Sequence, residues 1–499
     1  MRRFKQPFYI IILSVMVLLS GCRKPAGPES ATAETSGSAQ TTAESSETTQ
    51  NADPAAAAVA ADKPLISMAD RAFDGSIVTI AKSGKELATD ITETEIEAMV
   101  RAAAPDLQSI IKNGQTVVLK PNLVQMKVDS TGDLLDKEVN GITTDWRVTK
   151  AIVKLVREKN PDGKVYIMEG SASGPTSKVM EYFHYTPEYM KGVDDFISLE
   201  EDCGGWQDFD APEVVKVDLP DGLLHKTYYF NRILYEADVL ISIPCLKTSS
   251  GVVVTAGIKN VSLGTPPGNL YGIAPDNPSK THMVSHKIVD GELDRWIYDY
   301  YCAKPIDYVI VDGLQGFQSG PVPMSQERKE TDKMNMGVII GGRDAVAVDT
   351  ICALTVGWDP ESVGYLKLFK EYQGLGYLDQ IRVRGAYVDD LRAHFTIKRP
   401  ELGGVQITDD QGPELSDVSA EVQNRTLKVG YQAGEDTYKL EVLIDGYFFY
   451  ATDHNQSRQG EITVPDITEN TLAKGRHRME LIAYDRYLNR SSKTIDFTL

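Results

Sequence analysis

Across residues 64–400, short unbroken apolar runs alternate with stretches whose apolar positions recur every three or four residues. The runs at 76–81, 116–119, 164–168, 239–243, 308–311 and 337–340 are rich in Val and Ile and predict buried strands. Helical spacing marks 93–111, through Ile96, Met99, Val100, Ala103 and Leu107, and also 145–158, 345–356 and 361–372. Pro105 is expected to kink or divide the first of these helices, because it removes a backbone donor and clashes with the preceding turn. Strands apolar throughout, separated by amphipathic helices, predict an α/β fold with a mostly parallel sheet covered on both faces. Residues 187–226 follow neither pattern and read as an inserted excursion. From residue 405 the period drops to two, at 426–431, 438–444, 460–464, 478–484 and 493–497, which predicts an all-β sandwich over 405–499. The aromatic run Tyr447, Phe448, Phe449, Tyr450 is expected to send alternate members into that core and leave two for a partner.

The N-terminus has a different texture. Arg2, Arg3 and Lys5 precede an apolar run at 8–19, short for a bilayer span and suited to the central region of a signal peptide. It ends in Leu19-Ser20-Gly21-Cys22, which resembles the lipobox of bacterial lipoproteins. The resemblance implies removal of residues 1–21 and lipidation of Cys22, hence a cell-envelope, extracytoplasmic protein held at a lipid bilayer. Arg23 in place of an aspartate retention signal points to the outer membrane where a cell has one. Residues 22–63 are mostly Ala, Ser, Thr, Glu, Gln and Gly, too poor in large apolar side chains to offset ordering entropy. They read as a disordered tether with an r.m.s. reach of about 35 Å.

Charge excludes one class of partner. The 71 acidic residues outnumber the 52 basic ones, giving a formal charge of -19, so nothing favours a nucleic-acid surface. Five cysteines in 499 residues exclude a disulfide-rich scaffold. Cys203, Cys245, Cys302 and Cys352 are isolated; Cys245 and Cys352 lie in apolar runs and read as buried thiols. No Walker loop, G-x-S-x-G or G-x-G-x-x-G occurs.

Candidate chemistry gathers at predicted strand ends, where ligands of such sheets bind. Lys120 and Asn122 follow one strand, Lys247 and Thr248 another, and Lys259 and Asn260 follow Gly257. Converging, they would form a cationic pocket for a small carboxylate or phosphate; dispersed, they are solvated loop residues. Asp312 suits a base or metal ligand, or alternatively an Asp-Gly turn. Asp344 suits a helix N-cap. Asp349 falls inside an apolar helix, where a carboxylate needs a partner, and is a candidate catalytic or site-supporting residue with Asp312 and Lys259. His282 and His286 share the i, i+4 spacing of metal ligands but lack the glutamate of the metalloprotease motif, so surface or capping roles are the simpler reading. The metal and other cofactors stay open at this point.

The order of the K-P-N, P-x-L-K-T, G-I-K-N, V-D-G and D-x-V-A-V-D segments, over about 76–384, resembles the prokaryotic family called domain of unknown function 362. Members commonly place His after the Lys-Thr pair, where this chain has Ser249. Some carry cysteine ligands for iron–sulfur clusters; this chain has no C-x-x-C, so no such cluster is expected. A fainter likeness in texture to the nickel-dependent lactate racemase group implies 2-hydroxy-acid chemistry as one option, without the matching histidine. The stretch from Gly475-Arg476-His477 to Asn489-Arg490-Ser491 resembles bacterial immunoglobulin-like modules, which implies a spacer or interaction platform. The expected organisation is a leader (1–21), a tether (22–63), an α/β domain (64–400) and an immunoglobulin-like sandwich (405–499). The expected function is binding of a small anionic ligand at strand C-termini, with metal-assisted catalysis as one extension. The alternative is a non-catalytic adhesion or binding protein whose sandwich engages an envelope polymer or protein.

Overall fold

The computed structural model describes residues 70–128, 132–172, 174–272, 291–398, 403–468 and 471–499. The leader, the tether, Cys22, His282 and His286 lie outside them. Among the described residues no helix is long and apolar enough to cross a membrane.

In chain order the α/β body supplies Ser76–Lys82 (β1), Thr116–Pro121 (β2), Lys164–Glu169 (β3), Asp195–Ser198 (β4), Val214–Asp218 (β5), Thr227–Asn231 (β6), Val239–Ile243 (β7), Cys245–Ser249 (β8), Val253–Thr255 (β9), Tyr308–Phe317 (β10), Lys333–Met334 (β11), Val338–Gly342 (β12) and Ile381–Gly385 (β13). The central sheet runs β13-β1-β12-β10-β7-β2-β3-β4, with β8 joined to the far half of β10 and β9 to β8. Along the β13-to-β4 path neighbours are parallel except around β12, which lies antiparallel between β1 and β10; β9 is antiparallel to β8. The segment expected to be an excursion supplies the edge strand β4 and β5, which the next strand β6 completes into a separate antiparallel hairpin.

Alternate residues of these strands face two cores. Val117, Leu119, Ile241 and Ile310 meet Ile96, Val100, Ile152 and Val156 from the helices Glu93–Ala103 and Trp146–Lys159. Val118, Leu240, Val309 and Ile340 meet Ile258, Trp296 and Ile351 from helices on the opposite face. Helix ends follow local chemistry. Thr92 and Glu95 form a reciprocal capping box, Asp145 caps Trp146–Lys159, and Asp344 caps Ala345–Thr355 through two backbone N–H groups. Pro105 divides the first helix, as its chemistry requires, into Glu93–Ala103 and Leu107–Ile110.

One expected boundary is overturned. Strand β10 continues straight through Asp312-Gly313 to Phe317, where sequence placed a strand end. Its glycines serve close packing instead: a Cβ on Gly313 would meet Val338 at 2.7 Å, and one on Gly316 the Leu246 carbonyl oxygen at 2.9 Å.

The C-terminal strands are Leu415–Gln423 (β14), Thr426–Ala433 (β15), Lys439–Ile444 (β16), Tyr447–Ala451 (β17), Glu461–Val464 (β18), Arg476–Tyr484 (β19) and Arg490–Thr498 (β20). They form antiparallel sheets β14-β15-β18 and β17-β16-β19-β20 around a shared core that includes Val429, Val442, Phe449 and Leu481. Adjacent Phe448 and Phe449 lie on opposite sides of β17, as strand alternation requires, but both are buried, so Phe448 is not left exposed for an outside partner. Phe449 enters the sandwich core, while Phe448 meets Phe73 edge-on and lies under the Arg382 guanidinium.

That contact belongs to a continuous seam, and the described residues from Asp70 onward form one compact unit. The Lys439 ammonium donates to the Ile381 carbonyl of β13 at 2.7 Å and pairs with Glu441 at 3.0 Å. Arg392 donates to Asn489 and to the Tyr487 carbonyl, and Arg486 pairs with Asp359 at 2.7 Å. Ile482, Tyr484 and Leu488 of the sandwich join the body's apolar core. The sandwich thereby covers the outer strand of the central sheet, an edge otherwise open to pairing with another chain.

Candidate functional site

From β2 the chain proceeds to β3 and β4 on one side, then returns to place β7 and β10 on the other. The crevice between the carboxyl ends of β2 and β7 is therefore the point where strand order reverses, the usual ligand position in open α/β sheets. Lys120 and Asn122 stand at the end of β2, Glu169 ends β3, and β7 runs through Pro244 into β8, which carries Lys247. The helix Gly257–Gly264 lies across this crevice and carries Lys259 and Asn260.

Asn260 fastens the helix to the sheet. Its amide donates to the Lys120 carbonyl at 2.9 Å and to the Ser242 hydroxyl at 3.1 Å. Ser242 in turn donates to the Gly257 carbonyl at 2.9 Å. At the helix start, the buried Asp349 carboxylate accepts the Gly257 N–H at 2.7 Å, the Ile258 N–H at 3.1 Å and the Tyr365 hydroxyl at 2.9 Å. It thus satisfies helix N–H groups that lack intrahelical partners. Glycine is required at 257, since a Cβ there would lie 2.6 Å from Val309.

The three lysines converge in distinct states. Lys120 is fully buried, 2.7 Å from Glu169, and also donates to the Pro121 carbonyl and the Asn260 side-chain oxygen. Burial pulls its ammonium below the usual value, and Glu169 opposes that pull. Lys247 donates to the Asn122 side-chain oxygen at 2.7 Å and to the Ile142 carbonyl; burial draws it down to about 8. Lys259 donates to the Thr255 hydroxyl at 3.0 Å and is drawn down to about 7, by burial first and by the charge of Lys247 second. Thr255 stands opposite Lys247 in the β8–β9 register, so both lysines flank the same residue. Asn122 completes the chain by donating to Asn260 at 3.1 Å.

The remaining candidates lie apart from this group. Thr248, on the other side of β8, donates to the Thr396 carbonyl at 2.7 Å. Asp312 accepts the Asp145 N–H at 2.7 Å and the Leu314 N–H at 3.1 Å. Burial raises Asp312 to about 7, with the charge of Asp145 adding to the effect. It braces the segment whose Ile142 carbonyl receives Lys247. Asp349 is likewise raised to about 7 by burial. Both carboxylates support the frame that holds the amines.

Three contributors are not among the sequence candidates: Glu169, the Ile142 carbonyl, and Thr144, which accepts the Asn122 N–H at 2.8 Å and donates to the Ile243 carbonyl at 2.6 Å. Glu169 ends its strand as Lys120 nearly ends β2, so the rule that selects the lysine also selects the glutamate. The Ile142 and Thr144 contacts come from a loop and carry no charge signal. Among the described residues no group of three or more His, Cys, Asp or Glu is placed to hold a metal ion, and Cys203, Cys245, Cys302 and Cys352 are free thiols.

Residues 117–354, which span this site, match the family described as "Domain of unknown function (DUF362)". The thylakoid-associated protein sll1697 of Synechocystis is 25% identical over 256 residues, covering 51% of this chain and 67% of that protein. Among solved structures, the lactate racemase apoprotein of Thermoanaerobacterium thermosaccharolyticum is 13% identical over 60% of this chain and 62% of its own, with a TM-score of 0.30. Fibronectin(III)-like modules of Clostridium thermocellum CbhA are 18% identical over 19% of this chain and 50% of theirs, with a TM-score of 0.16.

Proposed function

We propose that this protein is an extracytoplasmic lipoprotein, anchored through Cys22, whose α/β body binds a small anionic ligand at the β2–β7 crevice. One observation carries the binding reading: Lys247 and Lys259 are buried side by side, and among the described residues their amines contact only neutral oxygens. A buried ammonium without a counter-ion is costly, and an anion between the two relieves that cost. Lys259, brought near neutrality, also suits proton exchange with a bound ligand, so turnover at this site would use it as the acid or base. In this reading the immunoglobulin-like sandwich braces β13 and is not a free arm.

Native mass spectrometry of the purified protein, followed by calorimetry with phosphate and acetate, tests the binding. The expected result is an anionic adduct or binding heat that Lys259→Ala abolishes. An adduct-free mass together with no heat from either anion would overturn it. Fatty-acid labelling of the full chain, lost in Cys22→Ala, tests the anchor.

A further inference from the structure

Charge balance limits what the crevice can hold. Three ammoniums and one carboxylate meet there, and Glu169 cancels Lys120. Neither of the nearby aspartates serves the other two lysines. Asp312 is held by the Asp145 and Leu314 N–H groups, and Asp349 by Gly257, Ile258 and Tyr365. Among the described residues no ion pair reaches Lys247 or Lys259. Empty, the site sheds charge, which is why burial draws these amines to about 8 and about 7. A ligand restoring both ammoniums gains most by bringing one negative charge for each. Lys259 donates to Thr255, which stands opposite Lys247 in the β8–β9 register, and this nearness favours both charges on one compact group.

We propose that the group recognised in this crevice is a compact, doubly charged oxyanion such as a phosphoryl group, bound jointly by Lys247 and Lys259, with Lys120 a fixed part of the frame. This rests on the anion-binding reading above. A monocarboxylate would leave one amine without a counter-charge, and an extended dicarboxylate would hold its charges farther apart than two lysines flanking one residue favour. Thr255, Asn122 and Asn260 border the amines with neutral polar groups, so discrimination falls on ligand charge.

The test is calorimetry on the full chain with sulfate, nitrate and malonate at matched low ionic strength. These are a compact dianion, a compact monoanion and an extended dianion. Sulfate is expected to bind at least about tenfold more tightly than the other two, a difference readily resolved in Kd. Lys259→Met, which halves the uncompensated charge, is expected to cost sulfate at least about tenfold. Nitrate binding as tightly as sulfate would overturn the double charge while leaving the anion site standing. Malonate binding more tightly would overturn the compact geometry. Binding of none of the three would overturn both this proposal and the reading beneath it. The wild-type comparison requires no variant, so it decides the matter even where Lys259→Met fails to fold.

Discussion

The ammonium of Lys120 lies 2.7 Å from the carboxylate of Glu169, and the two side chains are 0% and 2% exposed. Such a pair adds modestly to stability while intact, yet losing one partner strands a buried charge. Lys120→Met is therefore expected to destabilise the protein by about 3–5 kcal/mol in urea unfolding. Adding Glu169→Gln should restore a large part of that loss. Equal losses in the single and double variants would show that packing, and not the stranded carboxylate, dominates.

Lys259 makes stability depend on pH in an uncommon direction. Its amine titrates near 7 when folded, against an ordinary value of 10.5. Between those values the unfolded chain holds a proton that the folded chain lacks, so raising the pH favours folding. Chemical denaturation from pH 7 to pH 10 should show a gain traceable to this residue, and Lys259→Met should remove it. The variant should also be more stable than wild type at pH 7, by about 1 kcal/mol or more.

Asp349 titrates in the opposite sense. Burial raises its carboxyl from 3.8 to about 7, so between these values the folded chain holds the extra proton and stability declines as pH rises. Asp349→Ala would leave the Gly257 and Ile258 N–H groups unsatisfied, an expected loss of about 1–3 kcal/mol. Because the helix it fastens carries Lys259 and Asn260, anion affinity should fall in Asp349→Ala even at temperatures where the variant is fully folded. Unchanged affinity in the folded variant would confine Asp349 to stability.

The sandwich is predicted to be indispensable to the body. A chain ending at residue 410 loses the Lys439 contact to Ile381 and the cover over β13. It should melt well below the full chain and aggregate through the bared strand edge, as light scattering during a thermal ramp would report. A soluble truncated body with an unchanged Tm would show that the seam contributes little.

The strand runs and helices of the body are legible in the sequence because their apolar periods are undiluted: all five residues of β7 are buried, for example. Lys120, Lys247 and Lys259 are legible as strand-end or glycine-flanked cations. The course of β10 through Asp312-Gly313 is not, since a glycine demanded by the nearness of Val338 carries the same letter as one demanded by a turn. Nor is β14, whose Leu-Ser-Asp-Val-Ser-Ala-Glu-Val-Gln offers only weak alternation. The burial of Phe448 as well as Phe449 depends on Phe73 and Arg382, contacts from distant parts of the chain that no single stretch of sequence contains. Asp349 is legible as a buried carboxylate in need of a partner, but its partners are backbone N–H groups 91 and 92 positions away.

At Asp70, where the described chain begins, one carboxylate accepts the Phe448 N–H of the sandwich at 2.9 Å and pairs with Arg382 and Arg384 of β13. Next to it, the Arg71 N–H donates to the Phe448 carbonyl at 2.9 Å. Tension arriving along the chain from residue 70's upstream side is therefore divided between body and sandwich at the line where they meet. A pull on this protein by its N-terminal end loads the seam as a single mechanical joint.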